Sequence, residues 1–266
     1  MDAARIELSG ATDVGRRREQ NEDAWTAFTA GPGGAWQVAI VADGMGGHSA
    51  GEVASALAVD VITRELSGIG GAETPADPST VADATTSIDP SGALAAAIER
   101  ANRAIWEEAR RDWSRSGMGT TVVGAILVGA RAYLANVGDS PTILVRDGES
   151  RQVTRDHGWV AEQVEAGLID PQDAPYHPYR NVLTRSLGTD PSVAVEVYEP
   201  LDLLPGDQVV LCSDGLTAHV AVEEVGPVVA DADPEAAARR LIDLANERGG
   251  QDNITVVVAR VAGAPG

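Results

Sequence analysis

The chain of 266 residues is poor in cysteine, in positive charge and in long apolar runs, and each shortage excludes something. The one cysteine, Cys212, rules out an internal disulfide and fits a reducing compartment. Lysine and arginine total 20 against 40 aspartates and glutamates, a net charge of -20. Such a surface argues against binding nucleic acid or an anionic membrane. No apolar stretch approaches the ~20 residues that span a bilayer, and Met1-Asp2-Ala3-Ala4-Arg5 does not open a signal peptide. The four histidines show no metal-ligand spacing, and no segment matches the calcium loop of an EF-hand. The expectation is a soluble, cytoplasmic protein.

What is present suits a globular core: 44% of residues are hydrophobic. No repeat or linker divides the chain, so one domain over 1–266 is expected. Strands are expected at Trp25–Phe28 and Trp36–Ala42, around the turn Gly31–Gly34. Ser49-Ala50-Gly51-Glu52 resembles a capping box, with a helix running from it to about Leu66. A second helix is expected over Gly92–Trp113, and a third from Pro234 to Gly249 behind the cap Asp233. Hairpins are expected at Met118–Val128 with Arg131–Val137, and at Thr142–Arg146 with Arg151–Val153. Val193–Tyr198, Gln208–Cys212 and Ile254–Val261 read as further strands. Residues 68–90 read as a surface loop, and 155–192, with four prolines, as a short helix plus an irregular flap. Strands and helices interleave without regular alternation, which favours an α+β layered fold over a doubly wound parallel sheet.

Four aspartates stand at the edges of these apolar runs. Asp43 follows Val38–Ala42 and precedes Gly44; Asp139 follows Tyr133–Gly138. Asp214 follows Val209–Ser213, and Asp252 precedes Asn253–Val258. Strand ends from distant parts of a chain meet at an edge or cleft, where gathered carboxylates repel unless a cation holds them. With Glu22 they form an oxygen-only donor set, which suits Mg²⁺ or Mn²⁺ better than Zn²⁺ or copper. Gly44 leaves its carbonyl free to approach a cation. Arg18, four residues before Glu22, offers a fork that matches two phosphate oxygens.

The motifs Arg18–Asp23, Asp43-Gly44-Met45-Gly46-Gly47-His48, Gly117–Thr121, Asn136–Ser140, Ser213–Leu216 and Gly250–Asn253 occur in the order and spacing of a known family. Together they resemble the metal-dependent Ser/Thr protein phosphatases (PPM, or type 2C), above all the stand-alone bacterial members that oppose Ser/Thr kinases. The likeness runs from about Leu8 to Val261.

The resemblance implies a central antiparallel β-sandwich flanked by helices on both sides, with a metal cleft at one end. It implies that Asp43 bridges two cations, with Asp214 and Asp252 completing the first site. Gly44 would bind the second through its carbonyl, with Glu22 beside it or one water away. Asp139 and Asp214 would hold a third, with Asn181 of the flap as a further contact. Arg18 would bind the substrate phosphate, and water would attack phosphorus directly. Partners would be phosphorylated proteins, kinases among them, acted on by a monomer. Two positions depart from the family pattern. Met45 stands where eukaryotic members carry a histidine proposed as general acid, which leaves His48 or a bound water for that role. Pro141 stands where an arginine is common.

Two other readings compete. A cysteine phosphatase would need a phosphate loop closing on an arginine after Cys212, and Ser213–His219 contains none. A catalytically dead binding protein would be expected to lack some of the metal aspartates, and all are here.

Overall fold

The computed structural model describes residues 5–46, 50–69, 88–230 and 232–262. Two antiparallel sheets lie face to face. The first runs β1 (Ile6–Asp13), β12 (Ile254–Val261), β11 (Gln208–Cys212), β7 (Thr142–Arg146), β8 (Glu149–Gln152). The second runs β10 (Leu201–Asp202), β6 (Arg131–Val137), β5 (Val122–Val128), β3 (Trp36–Met45), β2 (Asp23–Ala30). Two short strands flank it, β4 (Gly119–Thr120) on β3 and β9 (Glu196–Val197) on β6.

The central strands are apolar on both faces because both faces are covered. In β3, Ala39 and Val41 pack between the sheets while Val38, Ile40 and Ala42 pack outward under helices. In β12, Val257, Ala259 and Val261 face the other sheet while Ile254, Val256 and Val258 face helices. Helices α1 (Ala50–Ser67) and α2 (Pro90–Arg111) cover the second sheet; α5 (Val222–Val229) and α6 (Pro234–Glu247) cover the first. The expected α+β sandwich with helices on both sides is thus what the chain forms.

Helix starts follow local chemistry. Asp89 accepts from the N–H groups of Ser91 and Gly92 with Pro90 at the first helical position. Asp233 accepts from Ala236 N–H before Pro234. In both cases an acidic cap meets unpaired helix N–H groups and proline costs no hydrogen bond. The capping box expected at Ser49, and residues 70–87 of the expected 68–90 loop, fall outside the described residues.

Three stretches went unanticipated: β1, the short β10, and residues 214–229, which form α4 (Asp214–Thr217) and α5. The flap opens with α3 (Trp159–Glu165) and continues irregularly, with the rings of Trp159, His177 and Tyr179 grouped at 5.3–5.6 Å.

Candidate metal centre

The strand ends named above converge at one end of the sandwich. Asp43 and Asp139 come from the second sheet, Asp214 and Asp252 from the first. Strand β3 does not stop at Ala42 as expected but continues to Met45, so Asp43 pairs with Asp23 of β2, and Gly44 with Thr120 of β4. Arg18, Glu22, Asp43, Gly44, Asp139, Asn181, Asp214 and Asp252 all line one cavity of about 250 Å³. His48 lies outside the described residues.

The wall between Glu22 and Gly44 is tight. Gly44 N–H donates to Glu22 O at 3.1 Å, and Ser55 Oγ of α1 donates to the same oxygen at 2.5 Å. A Cβ on residue 44 would lie 2.2 Å from Gly51 O and 2.4 Å from Glu22 O, so only glycine fits. Thr121 and Thr120 hold Asp43 in register: Thr121 Oγ1 accepts from Asp43 N–H, and Thr120 Oγ1 donates to Asp43 O. Asn253 anchors the loop that carries Arg18. Its side chain donates to Val14 O and Gln20 O and accepts from Glu22 N–H at 2.8 Å. Arg18 reaches across the cavity mouth and donates from Nη2 to Asp252 Oδ2 at 2.8 Å.

Burial and mutual repulsion dominate the electrostatics. Burial, then the charges of Asp23, Asp214, Asp139 and Asp252, drive Asp43 well above the ordinary carboxylate range. Asp139 rises to about 7 through burial, then Asp214 and Asp156. Burial and then Asp252 raise Asp214, against hydrogen bonding from Asp43 and the charge of Arg18. Two carboxylates absent from the expected set join them. Asp23, buried and hydrogen-bonded to Ser213 Oγ at 2.7 Å, rises to about 7; Asp156 rises to about 6, chiefly by burial. Asp156 lines an adjoining cleft of about 650 Å³ with Tyr176, Arg180 and Gln251.

As placed, no three His, Cys, Asp or Glu side chains among the described residues close around one point. The carboxylates ring the cavity, and Arg18 is the one guanidinium on its wall. Buried like charges with oxygen-only donors fit a hard divalent cation, which supplies the charge one arginine lacks. Cys212 is fully buried in β11 and its thiol is pushed far up by burial, so it is no nucleophile.

Fold and cavity together fit a metal-dependent hydrolase, with one arginine on the cavity wall. Residues 14–254 match the sequence pattern of protein phosphatase 2C. The serine/threonine phosphatase stp of Listeria monocytogenes is 36% identical over 248 residues, 93% of this chain and 92% of that protein. The solved S. agalactiae serine/threonine phosphatase superposes with a TM-score of 0.82 at 34% identity, over 97% of this chain and 100% of that one. The catalytic domain of serine/threonine protein phosphatase PstP, solved with two manganese ions, superposes with a TM-score of 0.79 at 32% identity, over 97% and 99%. The chain belongs to the protein phosphatase 2C family, among its bacterial members, and is a metal-dependent phosphoprotein phosphatase.

Proposed function

We propose that this phosphatase removes phosphate from phosphoserine and phosphothreonine by direct attack of water, and that it opposes bacterial Ser/Thr kinases. The observation that carries the reading is the gathering of Asp43, Asp139, Asp214 and Asp252, from both sheets, around one cavity with Arg18 at its mouth. Asp43, Asp214 and Asp252 would hold a first Mn²⁺ or Mg²⁺, and Asp43, the Gly44 carbonyl and Glu22 a second. Asp139 and Asp214 would take a third, with Asn181 beside it. Divalent cations bound there would lower the pKa of a water and offset charge on the phosphoryl oxygens.

The chain's own groups do the rest. Arg18 trades its contact with Asp252 for two oxygens of the substrate phosphate, which fixes the phosphorus over the cavity. Asn253 keeps the Arg18 loop in place during that exchange. Met45 cannot give the leaving oxygen a proton, so that proton comes from His48 or from water. The protein would act as a single domain over 1–266 and as a monomer, and its one cysteine, buried and free, suits the cytoplasm. Among the described residues no helix is long and apolar enough to cross a membrane.

Hydrolysis of a phosphothreonine peptide with Mn²⁺ or Mg²⁺, in wild type and Asp43→Asn, tests this. The variant should lose more than about a hundredfold, since even a residue that only orients a metal ligand is worth ~10–100-fold. Full activity in Asp43→Asn, or none in folded wild type with either metal, would defeat the reading.

A further inference from the structure

Gly138, the residue before Asp139, cannot hold itself in place. Its φ is 110°, and a Cβ there would stand 2.6 Å from Thr121 Cβ and Cγ2. A glycine has the widest backbone freedom, so its peptide must be fixed from outside. His157 does this at two points. Its backbone N–H donates to Gly138 O at 2.9 Å, and its Nδ1 accepts from Gly138 N–H at 3.1 Å.

An Nδ1 that accepts carries no proton, so the proton of the neutral ring sits on Nε2. Nε2 then donates to Glu196 Oε2, 2.7 Å away. Burial, which lowers the pKa of this ring, keeps it neutral and suits that arrangement. Glu196 Oε2 is also 3.5 Å from Arg185 Nη1. The flap is tied to the same histidine: Thr184 N–H donates to His157 O, and Trp159 N–H to Val182 O. Leu183 between them lines the metal cavity, and Arg185 lines a neighbouring groove of about 480 Å³ that shares Met45, Asn181 and Leu183 with it. One buried ring thus touches the Val137–Gly138 peptide, one residue before Asp139, and, through one carboxylate, an arginine of the neighbouring groove.

We propose that the His157 side chain is a positioning group: by holding the Val137–Gly138 peptide it sets the turn from which Asp139 faces the cavity, and it couples that setting through Glu196 and Arg185 to the flap. This assignment rests on the proposed metal centre. A histidine that merely fills space would leave metal binding unchanged when replaced by a side chain of similar bulk.

The test is calorimetric titration of Mn²⁺ into metal-stripped protein, with peptide kinetics alongside. His157→Leu keeps bulk and loses both ring contacts; His157→Asn keeps an acceptor near the Nδ1 position. His157→Leu should weaken the weakest Mn²⁺ step about tenfold or more, as loss of a group orienting a metal ligand does, with the tighter steps little changed. His157→Asn should recover most of that loss. Glu196→Gln leaves the ring an acceptor and drops the charge facing Arg185. It should bind Mn²⁺ like wild type but show a raised KM for a phosphothreonine peptide and unchanged kinetics on a small aryl phosphate. Wild-type Mn²⁺ binding in a folded His157→Leu, equal loss in the Asn variant, or an unmoved peptide KM in Glu196→Gln would overturn the proposal. A wild type that binds no Mn²⁺ would instead remove the metal reading, and this assignment with it.

Discussion

Asp139→Asn should stabilise the metal-free protein while weakening its hold on metal. In the fold Asp139 is held at about 7, against 3.8 for an unburied aspartate. A carboxyl whose pKa is raised in the fold favours the folded state at low pH and loses that advantage as pH rises from the unfolded value through the folded one. The gap of about 3 units is worth ~4 kcal/mol at ~1.4 kcal/mol per unit. An asparagine keeps an oxygen acceptor and has no charge to bury. Allowing for its imperfect fit, the gain at pH 8 should be ~2–4 kcal/mol, a rise in Tm of roughly 5–15 °C for a chain of this size. Thermal melts in chelator, from about pH 4 to pH 8, are the assay. The two proteins should melt together near pH 4, where wild-type Asp139 is protonated, and diverge up to pH 8 with the variant higher. With saturating Mn²⁺ at pH 8 the gap should shrink or invert, because wild type gains more from the ion. A variant that melts below wild type in chelator at pH 8 would refute the burial-and-repulsion account of the cavity.

Three further outcomes are expected. Arg18→Ala should lower kcat/KM for a phosphopeptide about 10–100-fold, the ~1.5–3 kcal/mol of a charge-assisted hydrogen bond, with little change in Tm; steady-state kinetics check it. Gly44→Ala forces a methyl group against two backbone oxygens at 2.2 and 2.4 Å, and the strand must shift. A displacement of ~1 Å at the centre should cost at least about a hundredfold in kcat and ~1–3 kcal/mol of stability, measurable by kinetics and denaturant melts. Cys212→Ala should keep its activity and lose about 1 kcal/mol of stability, since the thiol is only buried bulk in β11.

The site was legible where one residue type sits against an unambiguous local pattern. An aspartate beside a mostly apolar run marks a strand close to its edge, and the four do line one cavity, Asp43 from within β3 and the others from just outside β6, β11 and β12. Helix α6 was legible because Asp233-Pro234 writes its first turn into the chain, and α2 because Leu94, Ile98, Ala101, Ile105 and Ala109 recur along one face; its start at Pro90, behind the cap Asp89, lies two residues before the expected Gly92. Strand β1 was missed because beyond Ile6 and Leu8 its residues are small or polar, and its place is set by pairing with β12, about 250 positions away. Asp23 and Asp156 were missed for a related reason. Their burial comes from packing rather than from neighbours in sequence, and the Asp23 partner Ser213 is 190 residues distant. The Arg18 contact with Asp252 spans 234 residues, and no local pattern announces it. The role of Asn253 as the bolt on the Arg18 loop is likewise a matter of three long-range hydrogen bonds.

Strand β12 lies between β1 and β11 and carries Asp252 at its entrance. On the ribosome this means timing. Asp43 leaves the tunnel 209 residues before Asp252, roughly 10–40 s earlier at ~5–20 residues per second. Until β12 emerges, β1 lacks its described sheet neighbour and β11 lacks one of its two, and the proposed centre is one carboxylate short. On the proposed centre a nascent chain would be silent towards the phosphoproteins around it, and hydrolysis would begin only once β12 had joined the sheet.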